Sequence, residues 1–171
     1  SITMWVCPQS LTGAQQEIFS TYSNAIQLFI NSTNQLYAYF ATGSGTNGSN
    51  VTSSITLAVN TWYHVAVVRN STATNDTRIY IDGQIYANGT STGNFTDTNT
   101  MFIATDRVAT TGVTQFKGNL TDIRISNSAK YSSVFARPNT PLYMTGSVFQ
   151  MPISARSHMN IQTEHPNNAV V

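Results

Sequence analysis

In the stretch TWYHVAVVRN, and again in RIYIDGQIY, apolar residues alternate with polar or small ones and each run soon meets a turn-forming pair. A side-chain period of two puts neighbouring residues on opposite faces of an extended chain, which no helix does. Val65 and Val67 therefore fall on one face, and His64, Ala66 and Val68 on the other. Asp82-Gly83 supplies the two positive-φ residues of a tight turn, so the second run reads as a β-hairpin.

The same signature recurs along the chain. SITMWV alternates and stops at Pro8, and EIFSTYS follows as a further strand. AIQLFINSTNQLYAYF reads as a hairpin around Asn31, Ser32, Thr33 and Asn34. SITLAVN, MFIAT and FKGNLTDIRIS supply further strands, with polar loops predicted over residues 41–50 and 87–100. NSAKYSSVF has the length of one helical turn, with Asn127 placed to cap it. Nothing keeps a 3.6-residue period through three turns. About eight or more short strands, with turns every ~8–12 residues, predict an all-β antiparallel sandwich or jelly roll.

Composition narrows the function. The 171 residues suit one domain on the usual range of about 100–200 residues. Only 9% of them are charged and the formal net charge is +1, so no basic stripe exists for nucleic acid. The apolar runs fall short of the ~20 residues that a membrane helix needs. Cys7 is the sole cysteine, which excludes an internal disulfide and leaves the compartment open.

Taken in order, NTWYHVAVVRN, TRIYIDGQ and FKGNLTDIRISNSAKYSSVFARPNTPL resemble the concanavalin A-like, laminin-G-like domains. They are most similar to those of bacteriophage and other viral fibre or surface structural proteins. The resemblance rests on Trp62, His64, Val65 and Ala66, then Tyr80, Asp82 and Gly83. It continues through Phe116, Gly118, Leu120, Asp122, Ile123, Arg124 and Ile125 to Tyr131, Phe135, Pro138 and Pro141. It implies an antiparallel concanavalin A-like jelly roll over residues 1–142, without the outer strand that usually precedes SITMWV. Residues 143–171 then form a C-terminal extension. Tyr143, Met144, Val148, Phe149, Met151 and Ile153 make its first half too apolar for a simple linker. The expectation is an assembly arm that reaches a neighbouring subunit; the alternatives are a segment folded back over its own sandwich and an ordinary interdomain linker.

The candidate sites divide between scaffold and surface. His64, between valines and aromatics, reads as a hydrogen-bonded structural histidine, and Trp5 and Trp62 read as core. Asp122 and Arg124 occupy alternate positions of one strand, so both project to one face and read as a same-sheet ion pair or a tie to a loop carbonyl. Glycoside hydrolysis needs two carboxylates about 5–10 Å apart. The acids are Glu17, Glu164, Asp76, Asp82, Asp97, Asp106 and Asp122, and no Glu-x-Asp-x-x-Glu strand exists among them. No Gly-x-Ser-x-Gly, zinc-ligand spacing or base for Cys7 is present, so a non-enzymatic protein is expected.

Calcium is the one metal with suitable ligands, since related lectin-like domains hold it with hard oxygens. Asn94, Asp97, Asn99 and Asp106 carry that expectation here. Asn31, Asn47, Asn50, Asn70, Asn75, Asn88, Asn94 and Asn119 each open an Asn-x-Ser/Thr sequon, used only in a eukaryotic secretory route. Tyr22, Tyr37, Tyr39, Asn94, Asp97 and Asp106 are the candidate contacts for a glycan, because an aromatic face packs on sugar C–H groups while a hydroxyl hydrogen-bonds. The expected partners are glycans or cell-surface polysaccharide, and other subunits of a homo-oligomer or multi-protein assembly, on a virion surface or outside the cell. The alternative is a purely structural building block of a capsid, tail or filament.

Overall fold

A computed structural model describes residues 1–21, 26–42, 46–92, 100–105 and 115–139. Among the described residues ten strands run in order: β1 (Ile2–Pro8), β2 (Gln16–Thr21), β3 (Ile26–Ile30), β4 (Gln35–Thr42), β5 (Thr46–Thr56), β6 (Tyr63–Arg69), β7 (Thr77–Ile81), β8 (Gln84–Gly89), β9 (Met101–Ile103) and β10 (Gly118–Ile125). They form two five-stranded sheets, ordered β10-β1-β6-β7-β8 and β5-β4-β3-β2-β9, with antiparallel pairing throughout. The all-β sandwich is the fold that the alternation required, and β6 lies at the centre of its sheet.

The core fills the space between the sheets. Met4, Val6, Val65, Val67, Ile79 and Ile81 face inward from the first sheet. Leu28, Ile30, Leu36, Ala38, Phe40 and Val51 meet them from the second. Each is buried to within a few percent, the closeness expected when branched side chains interdigitate on pleated faces. The Asp82-Gly83 turn has φ of 52° and 83°, as the hairpin reading required.

The first sheet also carries a smaller core on its outer side. Ala66, Val68 and Tyr80 are fully buried there beneath Ile85, Tyr131 and Phe135. The cover comes from residues 126–139, which cross the sheet as a strap. Tyr131 and Phe135 stack with ring centroids 3.5 Å apart and 11° from parallel.

Four expectations are corrected. Residues 127–135 are not helical: the Phe135 N–H donates to the Gly83 carbonyl at 3.0 Å, not to the carbonyl four residues earlier. Much of 41–50 is strand, since Tyr39 pairs with Asn50 and Phe40 with Ser49, and backbone pairing does not need apolar side chains. The strand β8 likewise takes in residues 87–89 of the other predicted loop. Trp62 is only half-buried and precedes β6, so its ring is not part of either core; the buried tryptophan is Trp5, 1% exposed. The extension 143–171 lies outside the described residues.

Candidate functional site

The site begins with cross-strand register. On the outer face of the first sheet, Thr121 of β10 pairs with Trp5 of β1, and Trp5 pairs with His64 of β6. One step along, Arg124 pairs with Thr3 and Thr3 with Ala66. A β-bulge interrupts β10 between these rows, with Asp122 at φ 53°. Such an insertion re-aims side chains, and the Asp122 carboxylate accepts from Arg124 Nε at 2.8 Å. The expected ion pair is present.

The strap fixes the opposite wall. Arg78 Nη1 donates to the Ser132 carbonyl, and Arg137 bridges to Asp82 at 3.1 Å. Arg137 also donates to the Trp62 carbonyl at 3.0 Å and places its guanidinium 4.8 Å over the Trp5 ring. Between strap and β10 an open cleft of about 420 Å³ remains, within the range of about 300–1,000 Å³ for small-ligand sites. Thr3, Trp5 and His64 line it from the sheet, Asp122 and Arg124 from β10, and Lys130 and Tyr131 from the strap.

His64 is 4% exposed and makes edge contacts with Trp5 at 5.5 Å and Phe135 at 5.7 Å. Its backbone is well tied, its N–H donating to Asp82 Oδ1 at 2.8 Å and its carbonyl accepting from Asp82 N at 2.8 Å. Its ring Nδ1, however, is buried without a hydrogen-bond partner among the described residues. The structural histidine is therefore held by ring contacts and backbone bonds, not through Nδ1. Burial lowers its pKa, reinforced by the Arg137 and Arg124 charges and opposed by Asp82 and Asp122. The imidazole is neutral at pH 7.

Three further titratable groups are held structurally. Asp76 accepts from Ser71 and Asn70 and pairs with Arg78 at 3.3 Å. Glu17, buried in β2, accepts from Gln15 Nε2 at 3.0 Å. Cys7 is buried and burial pushes its thiol pKa up, away from thiolate chemistry.

Of the residues expected to contact a glycan, Tyr37 and Tyr39 lie half-buried on the outer face of the second sheet, far in the fold from this cleft. Tyr37 stacks on Phe29 at 4.6 Å. Tyr22, Asn94, Asp97 and Asp106, and with them the calcium candidate Asn99, lie outside the described residues. Among the sequons, Asn50, Asn70, Asn75 and Asn88 are exposed, and Asn119 is half-buried on β10. Asn31 folds its Oδ1 back onto the N–H groups of Thr33 and Gln35 at 3.0 and 2.9 Å. Lys130 and Tyr131 were not singled out as contacts, because only the path of the strap brings them beside β10.

Two antiparallel five-stranded sheets with a cleft on one outer face make a β-sandwich of the jelly-roll class. Residues 1–133 match the family described as concanavalin A-like lectin/glucanases superfamily (Laminin_G_3), and the chain belongs to it. No curated protein matches the chain. Among solved structures it is similar to a protein of Bacteroides ovatus ATCC 8483 provisionally assigned to carbohydrate binding, with TM-score 0.59 and 19% identity. It is also similar to the heptameric SAP-like pentraxin of Limulus polyphemus, with TM-score 0.55 and 17% identity. Each match covers 77% of this chain, which spans only 38% and 64% of those two chains.

Proposed function

We propose that the chain is a non-enzymatic carbohydrate-binding module on the surface of a virion fibre or decoration protein, or of a similar extracellular assembly. The observation that carries this reading is the outer-face cleft, where hydroxyl, amide and charged groups surround a rigid aromatic wall on a lectin-like scaffold. The virion setting draws its support from sequence resemblance alone. The described aspartates are engaged by neighbouring donors, which supports binding over catalysis. Tyr37 and Tyr39 offer a second sugar-facing surface on the opposite sheet.

A glycan array probed with the purified chain tests the reading. Reproducible retention of a defined glycan class supports it, and silence across the array from a folded sample contradicts it. The alternative, a purely structural building block, is favoured by exposed Ile125 on the outermost strand β10 and exposed Met101 on the outermost strand β9. In that reading, residues 143–171 serve as the arm that joins neighbouring subunits. Deleting them then weakens assembly while leaving the sandwich folded, as light scattering and a melting curve would record.

A further inference from the structure

We infer that the cleft between β10 and the strap takes an acidic saccharide, whose carboxylate or sulfate is received by Arg124 and Lys130. The inference rests on the glycan-binding reading and adds the charge class of the ligand.

The cations of the described residues are used unequally. Arg78 and Arg137 are engaged by Asp76 and Asp82 and tie the strap to the sheet. Arg124 gives only its Nε, to Asp122 at 2.8 Å, and its side chain is 61% exposed. Its terminal nitrogens make no hydrogen bond among the described residues. Lys130, on the facing wall, is exposed and has no ion pair among the described residues. In a chain with only eight Lys and Arg, two cationic side chains with open donors on one cleft are a concentration of anion-binding groups.

Their arrangement suits a carboxylate or sulfate group. Asp122 holds one edge of the guanidinium and so orients the remaining N–H groups, which match the spacing of two anion oxygens. Asp122 cancels one of the two positive charges and burial favours the neutral form of His64, so the side chains lining the cleft keep a net charge near +1. Tyr131, fixed by its stack on Phe135, gives C–H groups a rigid wall, and Thr3 and Ser126 bring hydroxyls to the same space. A bare anion would leave that wall and those hydroxyls unused; a uronate, sialate or sulfated ring would meet both.

The test is calorimetric titration of the full chain with three acidic probes and their uncharged counterparts. These are tri-galacturonate against its methyl ester, 3′-sialyllactose against lactose, and a heparin tetrasaccharide against its desulfated, esterified form. At least one acid is expected to bind roughly tenfold or more tighter than its counterpart, and to weaken with added salt. Arg124→Gln with Lys130→Gln is expected to remove that preference without changing the melting temperature. The inference is overturned if each acid and its counterpart bind alike, or if the double variant keeps the preference. It is overturned also if an acidic peptide binds the cleft and no acidic sugar does. Retention of neutral glycans alone would overturn this inference and leave the module's glycan binding intact; an empty glycan array would remove both.

Discussion

The Phe135 N–H donates to the Gly83 carbonyl across 3.0 Å, so the strap is hydrogen-bonded to the tip of the β7–β8 hairpin. The approach is close enough that a Cβ on Gly83 would overlap the Phe135 carbonyl oxygen and sit 3.3 Å from Arg137 N. Gly83 also has φ 83°, a region that side chains resist. Glycine there serves the turn and the seating of the strap together.

Gly83→Ala is therefore expected to destabilise the domain by about 2 kcal/mol or more, from backbone strain and displacement of the strap. Gln84→Ala, at an exposed neighbouring position, is expected to change stability by only about 0.5 kcal/mol. Urea denaturation of the two variants makes the comparison. Equal midpoints would show that the strap does not depend on this approach.

The two tryptophans separate core from surface. Trp5 is 1% exposed under Arg137 and against His64, so Trp5→Ala is expected to cost about 3–5 kcal/mol. Trp62, half-buried ahead of β6, is expected to cost about 1 kcal/mol on the same change. Chemical denaturation checks this, and a reversed order would contradict the assignment of Trp5 to the packed side.

Much of this arrangement was legible in the sequence, and the reason is the strand period. Val65 and Val67 separate from His64, Ala66 and Val68 because a ladder has only two faces, and the structure gives Val65 and Val67 to one core and Ala66 and Val68 to the other. Asp82-Gly83 was legible because few residue pairs tolerate positive φ twice in succession. The strap was not. Tyr131 and Phe135 are four residues apart, a spacing that also suits a helix face, and only the long-range bond to Gly83 shows which structure wins. The bulge at Asp122 was hidden as well, since it is defined against β1 and not within β10. The cleft depends on both, so its walls could not be read from local pattern even though the Asp122–Arg124 pair could.

His64 sets a pH dependence. Burial favours its neutral form in the folded state, so its folded pKa lies below the unfolded value of about 6.5. Below that value the unfolded chain binds the proton more readily than the folded one. The stability that His64 contributes is thus fully present above about pH 6.5 and is lost as pH falls toward the folded pKa. Thermal melts between pH 7 and pH 5 are expected to show this decline, and His64→Gln to flatten it. An equally steep decline in the variant would assign it to other groups.

In the proposed function, glycan binds in the outer-face cleft and not to the scaffold at large. Titration of ¹⁵N-labelled protein with the best-retained array glycan, followed by amide chemical shifts, tests it most directly. Saturable shifts are expected at Thr3, Arg124, Ser126, Lys130 and Tyr131, with inward-facing Leu36 and Ile79 unmoved. Shifts confined to Tyr37 and Tyr39 on the opposite sheet, or none at saturating glycan, would contradict it.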